Sequence, residues 1–291
     1  MRNLILSLTL LCCVVYNTSA QKKNVEAIEK AIVDEATALY NSEWASWYGT
    51  DVFLAKCADK KPQGGGYLSY DDGKGMVNIF FSKDSIPKII ATISFGYEFD
   101  ENKYQLDTVK RDLNKQEKEL YTLRKAAMQR MNNDTTFKYY KNTSLNPVPF
   151  IYKGQKKVYV LTGTNTNGVV IFGNDYRIDF DKKDKITQVT KLHNSIIPIE
   201  NPGKNVTDSS KIIVASFHNH VKGKDEFITV TDLCTIMLYA HLTTWKTCYV
   251  MSNTYVSIWD VNQKKLAIIT REAWDKISND QKAGQILGKG K

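Results

Sequence analysis

Between residues 24 and 41, NVEAIEKAIVDEATALYN, the apolar positions Val25, Ile28, Ile32, Ala36 and Leu39 recur at spacings of three and four. That rhythm predicts an amphipathic helix, with Asn24 as its cap. A second short helical stretch spans Trp44 to Cys57 and ends in KKPQGGG, where Pro62 and the run Gly64 to Gly66 read as linker. The apolar period then changes. YLSYDDGKGMVNIFFSKD reads as two strands about a glycine-containing turn and IIATISFGYEF as a third, a small antiparallel meander. From Tyr104 to Met131, the positions Leu106, Val109, Leu113, Leu120, Leu123 and Ala127 predict the longest helix. Gln116 interrupts its seam, so packing on the protein's own sheet is favoured over a coiled coil.

The polar, proline-marked stretch NNDTTFKYYKNTSLNPVP places a boundary near residues 135 to 150. Beyond it, KVYVLTG, GVVIFGNDYRIDFD, KITQVTKLHNSIIPIE, KIIVASFHN, CYVMSNTYVSIWD and KLAIITREAW read as strands. The joins DKKDK and VNQKK suit hairpins, and one apolar helix, Asp232 to Leu242, interrupts the series. The expected fold is α+β. Residues 21–145 form a helical region with a small β-meander, and residues 146–291 form a β-rich domain with one central apolar helix.

The chain begins as an export signal does. Arg2 is followed by an apolar run from Leu4 to Val15 and by a small-residue exit, Thr18, Ser19 and Ala20. Residues 1–20 are therefore expected to be a signal peptide, making the protein secreted or periplasmic. The run is too short for a bilayer crossing, and no later stretch is long enough, so no membrane span is expected. Lipidation at Cys13 is a further alternative, weakened by the bulky Leu11 and Cys12 before it. Cleavage removes one positive charge, so the formal balance becomes 9 − 1 = +8. The lysines are scattered among carboxylates with no long basic block, which argues against a nucleic-acid groove. Cys57, Cys234 and Cys248 remain; three thiols cannot all pair within one chain, and Cys234 and Cys248, which an oxidising compartment could bridge, read first as buried small hydrophobes.

The stretch SFHNHVKGKDEFITVTDLCTIMLYAHL carries three of the four histidines. Side chains two apart on an extended chain share a face, so His218 and His220 can aim both imidazoles at one point. Two imidazoles and a carboxylate, with the fourth position left to water, make a recurring catalytic zinc shell. Asp232 suits the carboxylate, because Thr229-Val-Thr-Asp232 opens a helix and places Asp232 in its first turn. Thr229 and Asp232 also make an ordinary capping pair with or without metal. His193, in KLHNSII, either adds a third imidazole or is a strand histidine satisfied by hydrogen bonds. His241, late in the helix, suits its C-terminal dipole and reads as structural.

These residues resemble the JAMM motif of the MPN metalloprotease family: His-x-His-Pro, a short loop, then Ser-x-x-Asp leading into an apolar helix. Here the order is His218-Asn219-His220-Val221, the loop KGKDEFI, then Thr229-x-x-Asp232, and the likeness covers about residues 155–260. It implies that His218, His220 and Asp232 hold zinc and that Thr229 matches the serine that hydrogen-bonds the reacting oxygen. Val221 stands in place of the proline, the loop is one residue longer, and threonine replaces serine. Ahead of the run NGVVIFG, Asn165 stands where the family has its catalytic glutamate, and an asparagine cannot shuttle a proton from zinc-bound water. Either Glu200 or Glu226 serves instead, or nothing is hydrolysed.

No dinucleotide, phosphate-loop or nucleophile-elbow motif is present. Asn133, Asn142 and Asn205 begin N-x-[ST] triplets, which matter only where the export route glycosylates. Two functions therefore stand side by side. One is an exported zinc-dependent hydrolase of JAMM type acting on an amide bond in an unknown peptide or protein substrate. The other is a catalytically degenerate binding or scaffold protein on the same fold.

Overall fold

The computed structural model describes residues 2–201, 203, 212–220 and 225–288, with backbone alone for 2–23 and 281–288. Helix α1 (Arg2–Lys56) is continuous through both predicted helical pieces. No glycine or proline separates them, and Ser42 and Glu43 at the expected break are buried. A short 3-10 turn, Ala58–Gln63, leads into strands β1 (Gly64–Asp71), β2 (Met76–Ser82) and β3 (Lys88–Phe95), the expected meander.

The glycine run lies inside β1 and is not a linker. Gly66 has φ +146°, and an added Cβ would sit 2.7 Å from the Phe81 ring, so glycine is what lets β1 lie against β2.

The predicted 104–131 helix is shorter than expected. Its first part pairs with β3 as β4 (Tyr104–Asp107) and β5 (Arg111–Asp112), and α2 (Lys115–Asn132) begins only at the Asn114 cap. Asn114 Oδ1 accepts from Glu117 N at 2.9 Å, and Glu117 Oε2 accepts from Asn114 N at 2.7 Å. This reciprocal box outweighs the apolar rhythm upstream. Arg111 and the Tyr70 hydroxyl both donate to the buried Glu117 carboxylate.

The chain continues through β6 (Thr143–Tyr152), β7 (Gln155–Thr164), β8 (Val169–Gly173), β9 (Tyr176–Phe180), β10 (Ile186–Lys191), β11 (Ile196–Glu200) and β12 (Ala215–Asn219). After these come α3 (Val230–Tyr239), β13 (Thr247–Met251), β14 (Tyr255–Asp260), β15 (Lys265–Thr270) and α4 (Arg271–Gly288). β6 was hidden by Pro147 and Pro149. Among the described residues it pairs only with β7, at the edge of a sheet ordered β10-β9-β7-β6, where missing amide donors cost least. β8 and β11 form a separate antiparallel pair. β12 runs parallel to β13 with α3 as the crossover, and β13, β14 and β15 continue that sheet antiparallel.

The architecture is α+β. Helix α1 contributes to two cores. Leu39, Trp44 and Phe53 pack with Phe80, Ile93, Phe150, Tyr159 and Leu238, while Ala36 packs with Phe172, Ile228, Leu233, Trp245 and Trp259. Residues on both sides of the expected 135–150 boundary thus share one apolar cluster. Truncating a fully buried leucine such as Leu39 would cost about 2–5 kcal/mol. Cys57, Cys234 and Cys248 are buried free thiols. Among the described residues, no helix is long and apolar enough to cross a membrane.

Glu43 joins α1 to β6 by accepting from Asn146 Nδ2 at 3.0 Å. Burial pushes its carboxyl from 4.5 up to about 7, against the opposing pull of Arg124 and the Asn146 bond. Between those values the folded chain keeps a proton that the unfolded chain releases, so this group's contribution to stability falls as pH rises through the window. Glu43→Gln removes that loss. In urea unfolding at pH 5 and pH 8, the variant should gain stability relative to wild type at the higher pH; parallel pH profiles would contradict the assignment.

Candidate metal centre

Thr229 closes the loop before α3 in an extended conformation, and its hydroxyl accepts from Asp232 N at 3.0 Å. Asp232 returns the bond: its Oδ2 accepts from Thr229 N at 3.0 Å and from the Thr229 hydroxyl at 2.7 Å. The capping box thus fixes the carboxylate at the start of α3 and commits the threonine proton to it. Oδ1 is left buried with no hydrogen bond.

β12 alternates as an extended strand must. Phe217 faces solvent, while His218 turns inward with 5% of its surface exposed. His220 lies just past the strand end, where its backbone N–H still bonds Met251 O at 2.8 Å and extends the ladder with β13. Both imidazoles therefore meet the first turn of α3. His193 arrives from a bend between β10 and β11 rather than from a strand, and it too is buried.

Three imidazole Nε2 atoms converge on one carboxylate. His193 Nε2 lies 3.2 Å from Asp232 Oδ1, His220 Nε2 lies 3.2 Å from Oδ2, and His218 Nε2 lies 3.4 Å from Oδ1. His193 Nε2 and His220 Nε2 are within hydrogen-bond reach of Asp232 Oδ2, at 3.3 and 3.2 Å, the long end of the range for such bonds. Two donors each about 2.0–2.1 Å from a tetrahedral zinc stand about 3.3 Å apart, which matches them. His193, His220 and Asp232 have ligand atoms all within 4.8 Å of one another and could hold a metal ion.

Protonation chemistry points the same way. His220 Nδ1 lies 2.9 Å from the Asp225 carbonyl, which can only accept, so Nδ1 carries the proton. In the neutral ring, Nε2 then presents a lone pair towards a carboxylate oxygen. That arrangement needs either a second proton or a cation between the two atoms. His218 Nε2 and Asp232 Oδ1 are both buried without hydrogen bonds, and these are atoms an ion would take up. Burial alone would raise the Asp232 carboxyl, but the facing His193 and His218 imidazoles hold it well below the usual carboxylate range. Burial pulls His193 down, yet Asp232 and then Asp175 bring it up to about 9. These shifts mark a site with a strong preference for positive charge around Asp232.

The structure thus brings His218, His220, Thr229 and Asp232 together and adds His193. The sequence signal for His193 was a lone histidine in an apolar stretch. The three positions considered for a catalytic base lie elsewhere. Asn165 is exposed in the turn after β7, Glu200 is exposed at the end of β11, and Glu226 is exposed and bonded to Thr254. A buried carboxylate that sequence reasoning missed, Asp175, lies beside His193, in the break between β8 and β9 that divides the run GVVIFGNDYRIDFD expected as strand.

No family model, curated protein or solved structure matches this chain.

The bend that separates β8 from β9 also seats His193. Gly173 has φ +84°, and a Cβ there would stand 2.3 Å from the Ser195 carbonyl oxygen and 3.4 Å from His193 Cβ. Gly173→Ala should lower stability by roughly 1–3 kcal/mol through backbone strain and displacement of the 193–195 segment. Urea unfolding measures this, and a change below about 0.5 kcal/mol, the range of an inert surface substitution, would refute the packing account.

Proposed function

We propose that this chain is an exported zinc-binding protein in which His193, His218, His220 and Asp232 enclose the ion, and that it acts as a binding or scaffold protein rather than a hydrolase. The observation that carries the reading is the buried group His193, His220 and Asp232, whose ligand atoms lie within 4.8 Å of one another, with His218 Nε2 3.4 Å from the same carboxylate. Imidazole-rich donors suit zinc, whereas calcium and magnesium take oxygen ligands. With His218 joining His193, His220 and Asp232 as a fourth donor the tetrahedron is complete and no position is left for a reacting water, the mark of a structural rather than a catalytic zinc site. The Thr229 proton is held by Asp232, and the candidate glutamates are exposed outside the cluster, which further supports a non-hydrolytic role.

A second reading is zinc-dependent amide hydrolysis of JAMM type. One observation favours it: His193 Nε2 stands 3.4 Å from Thr229 Oγ1, beside the place where the resemblance puts the reacting oxygen. With His218, His220 and Asp232 on the ion, His193 would then serve as the base that Asn165 cannot be.

Metal analysis tests the site and cobalt separates the readings. Wild type should carry stoichiometric zinc, and His220→Ala should lose it; equal metal content in the two proteins would defeat both readings. Zinc added at about 100 times its Kd should raise the stability of the metal-free protein by about 2.7 kcal/mol. In the cobalt-substituted protein, a closed shell leaves the visible spectrum unmoved by azide or acetohydroxamate. A spectrum that shifts on adding them reveals an open position and supports the hydrolase.

A further inference from the structure

Asp175 is an acidic residue buried beside His193. It is 4% exposed, in the bend between β8 and β9, and burial pushes its carboxyl up to about 6 against the lowering effect of His193. A group this costly to bury usually has a task. Its Oδ1 accepts from Thr162 N at 2.8 Å, which ties it to β7. Its backbone carbonyl accepts from Leu192 N at 2.9 Å, which draws the residue before His193 to the same spot. The remaining oxygen, Oδ2, faces His193 Nδ1 at 3.7 Å, and that nitrogen has no hydrogen-bond partner.

The two ends of the His193 ring therefore face two different carboxylates. Nε2 faces Asp232 at 3.2 Å and Nδ1 faces Asp175. A metal-bound histidine needs a bare Nε2, so its proton must sit on Nδ1. Histidine ligands commonly donate that N–H to a carboxylate, which fixes both tautomer and ring orientation. A movement of about 0.8 Å would bring Nδ1 and Oδ2 to ordinary hydrogen-bond distance. Asp175 stands where such a partner is needed, and His220 already has its equivalent in the Asp225 carbonyl.

Resting on the zinc-site reading above, we propose that Asp175 is a positioning residue that accepts the His193 Nδ1 proton and so presents His193 Nε2 to the ion as a ligand. It carries no bond to the metal. Its effect is to choose the tautomer: with a carboxylate behind the ring, only an N–H can face it. An amide in its place can offer N–H instead, which favours the tautomer whose Nε2 is protonated and closed to metal.

The test uses the full mature chain with zinc itself as the probe, competed against a chromophoric chelator. Asp175→Asn preserves the shape of the side chain and should weaken zinc binding about 10–100-fold, the range seen when outer-shell partners are removed. In a His193→Gln background the same change should add less than a twofold loss, because the ring it positions is gone. A wild type that takes up no zinc would sink the metal reading itself. A wild type that binds zinc while Asp175→Asn binds within twofold of it would sink this inference alone. Should Asp175→Asn fail to fold, the nitrogen-15 spectrum of zinc-loaded, histidine-labelled wild type decides instead. Protonation of His193 at Nδ1 with Nε2 on the metal is the expected result; protonation at Nε2 overturns it.

Discussion

An ionised carboxylate with no exposed surface is the constraint around which the C-terminal half is arranged. Taking such a group out of water costs several kcal/mol unless charge and hydrogen bonds are returned to it. Asp232 is supplied on every side. Thr229 satisfies Oδ2 through both its amide and its hydroxyl, and the Nε2 atoms of His193, His218 and His220 face the two oxygens. The same arrangement that makes the carboxylate tolerable in the interior could hold a metal ion, because the facing imidazoles can offer either protons or lone pairs.

Secondary structure delivers the parts with little freedom. The parallel β12–β13 pair requires a crossover, and α3 supplies it, so the start of the helix returns beside the end of β12. A strand end and a helix start are thereby held together by backbone hydrogen bonds rather than by flexible side chains, which favours a precise site. The third imidazole comes from a different sheet pair. The tight bend at Gly173 lets the 193–195 segment approach closely, and α1 packs along both apolar clusters, holding the N-terminal meander and the β-rich half against each other.

Whether such a centre reacts or only binds turns on its last position. A carboxylate near an open coordination site would make a hydrolase; a fourth protein ligand makes a bolt. The exposed Glu200 and Glu226 stand outside the buried cluster, while the buried Asp175 lies on the far side of an imidazole from Asp232. Acid–base groups are present in number, yet they face one another more than they face a free space, and that inward arrangement favours a site built to hold something.

Local chemistry was legible from the sequence wherever neighbours along the chain do the work. The His218-x-His220 spacing fixed a shared face by the period of a strand. Thr229 and Asp232 announced a helix start by reciprocal hydrogen bonds three residues apart, and DKKDK and VNQKK announced hairpins. The α+β class followed from the change of apolar period. Competing local signals blurred what lay between: the Asn114–Glu117 box ended an apolar rhythm that seemed to run from Tyr104, and Pro147 and Pro149 concealed an edge strand. Sequence by itself determined the α+β class, the shared face of His218 and His220 and the helix start at Thr229. Only tertiary structure decided that His193 joins His218 and His220 and that Asp175 stands behind it, because the contacts of His193 join residues 18 to 39 positions apart and depend on how separate sheets pack, which no local period records.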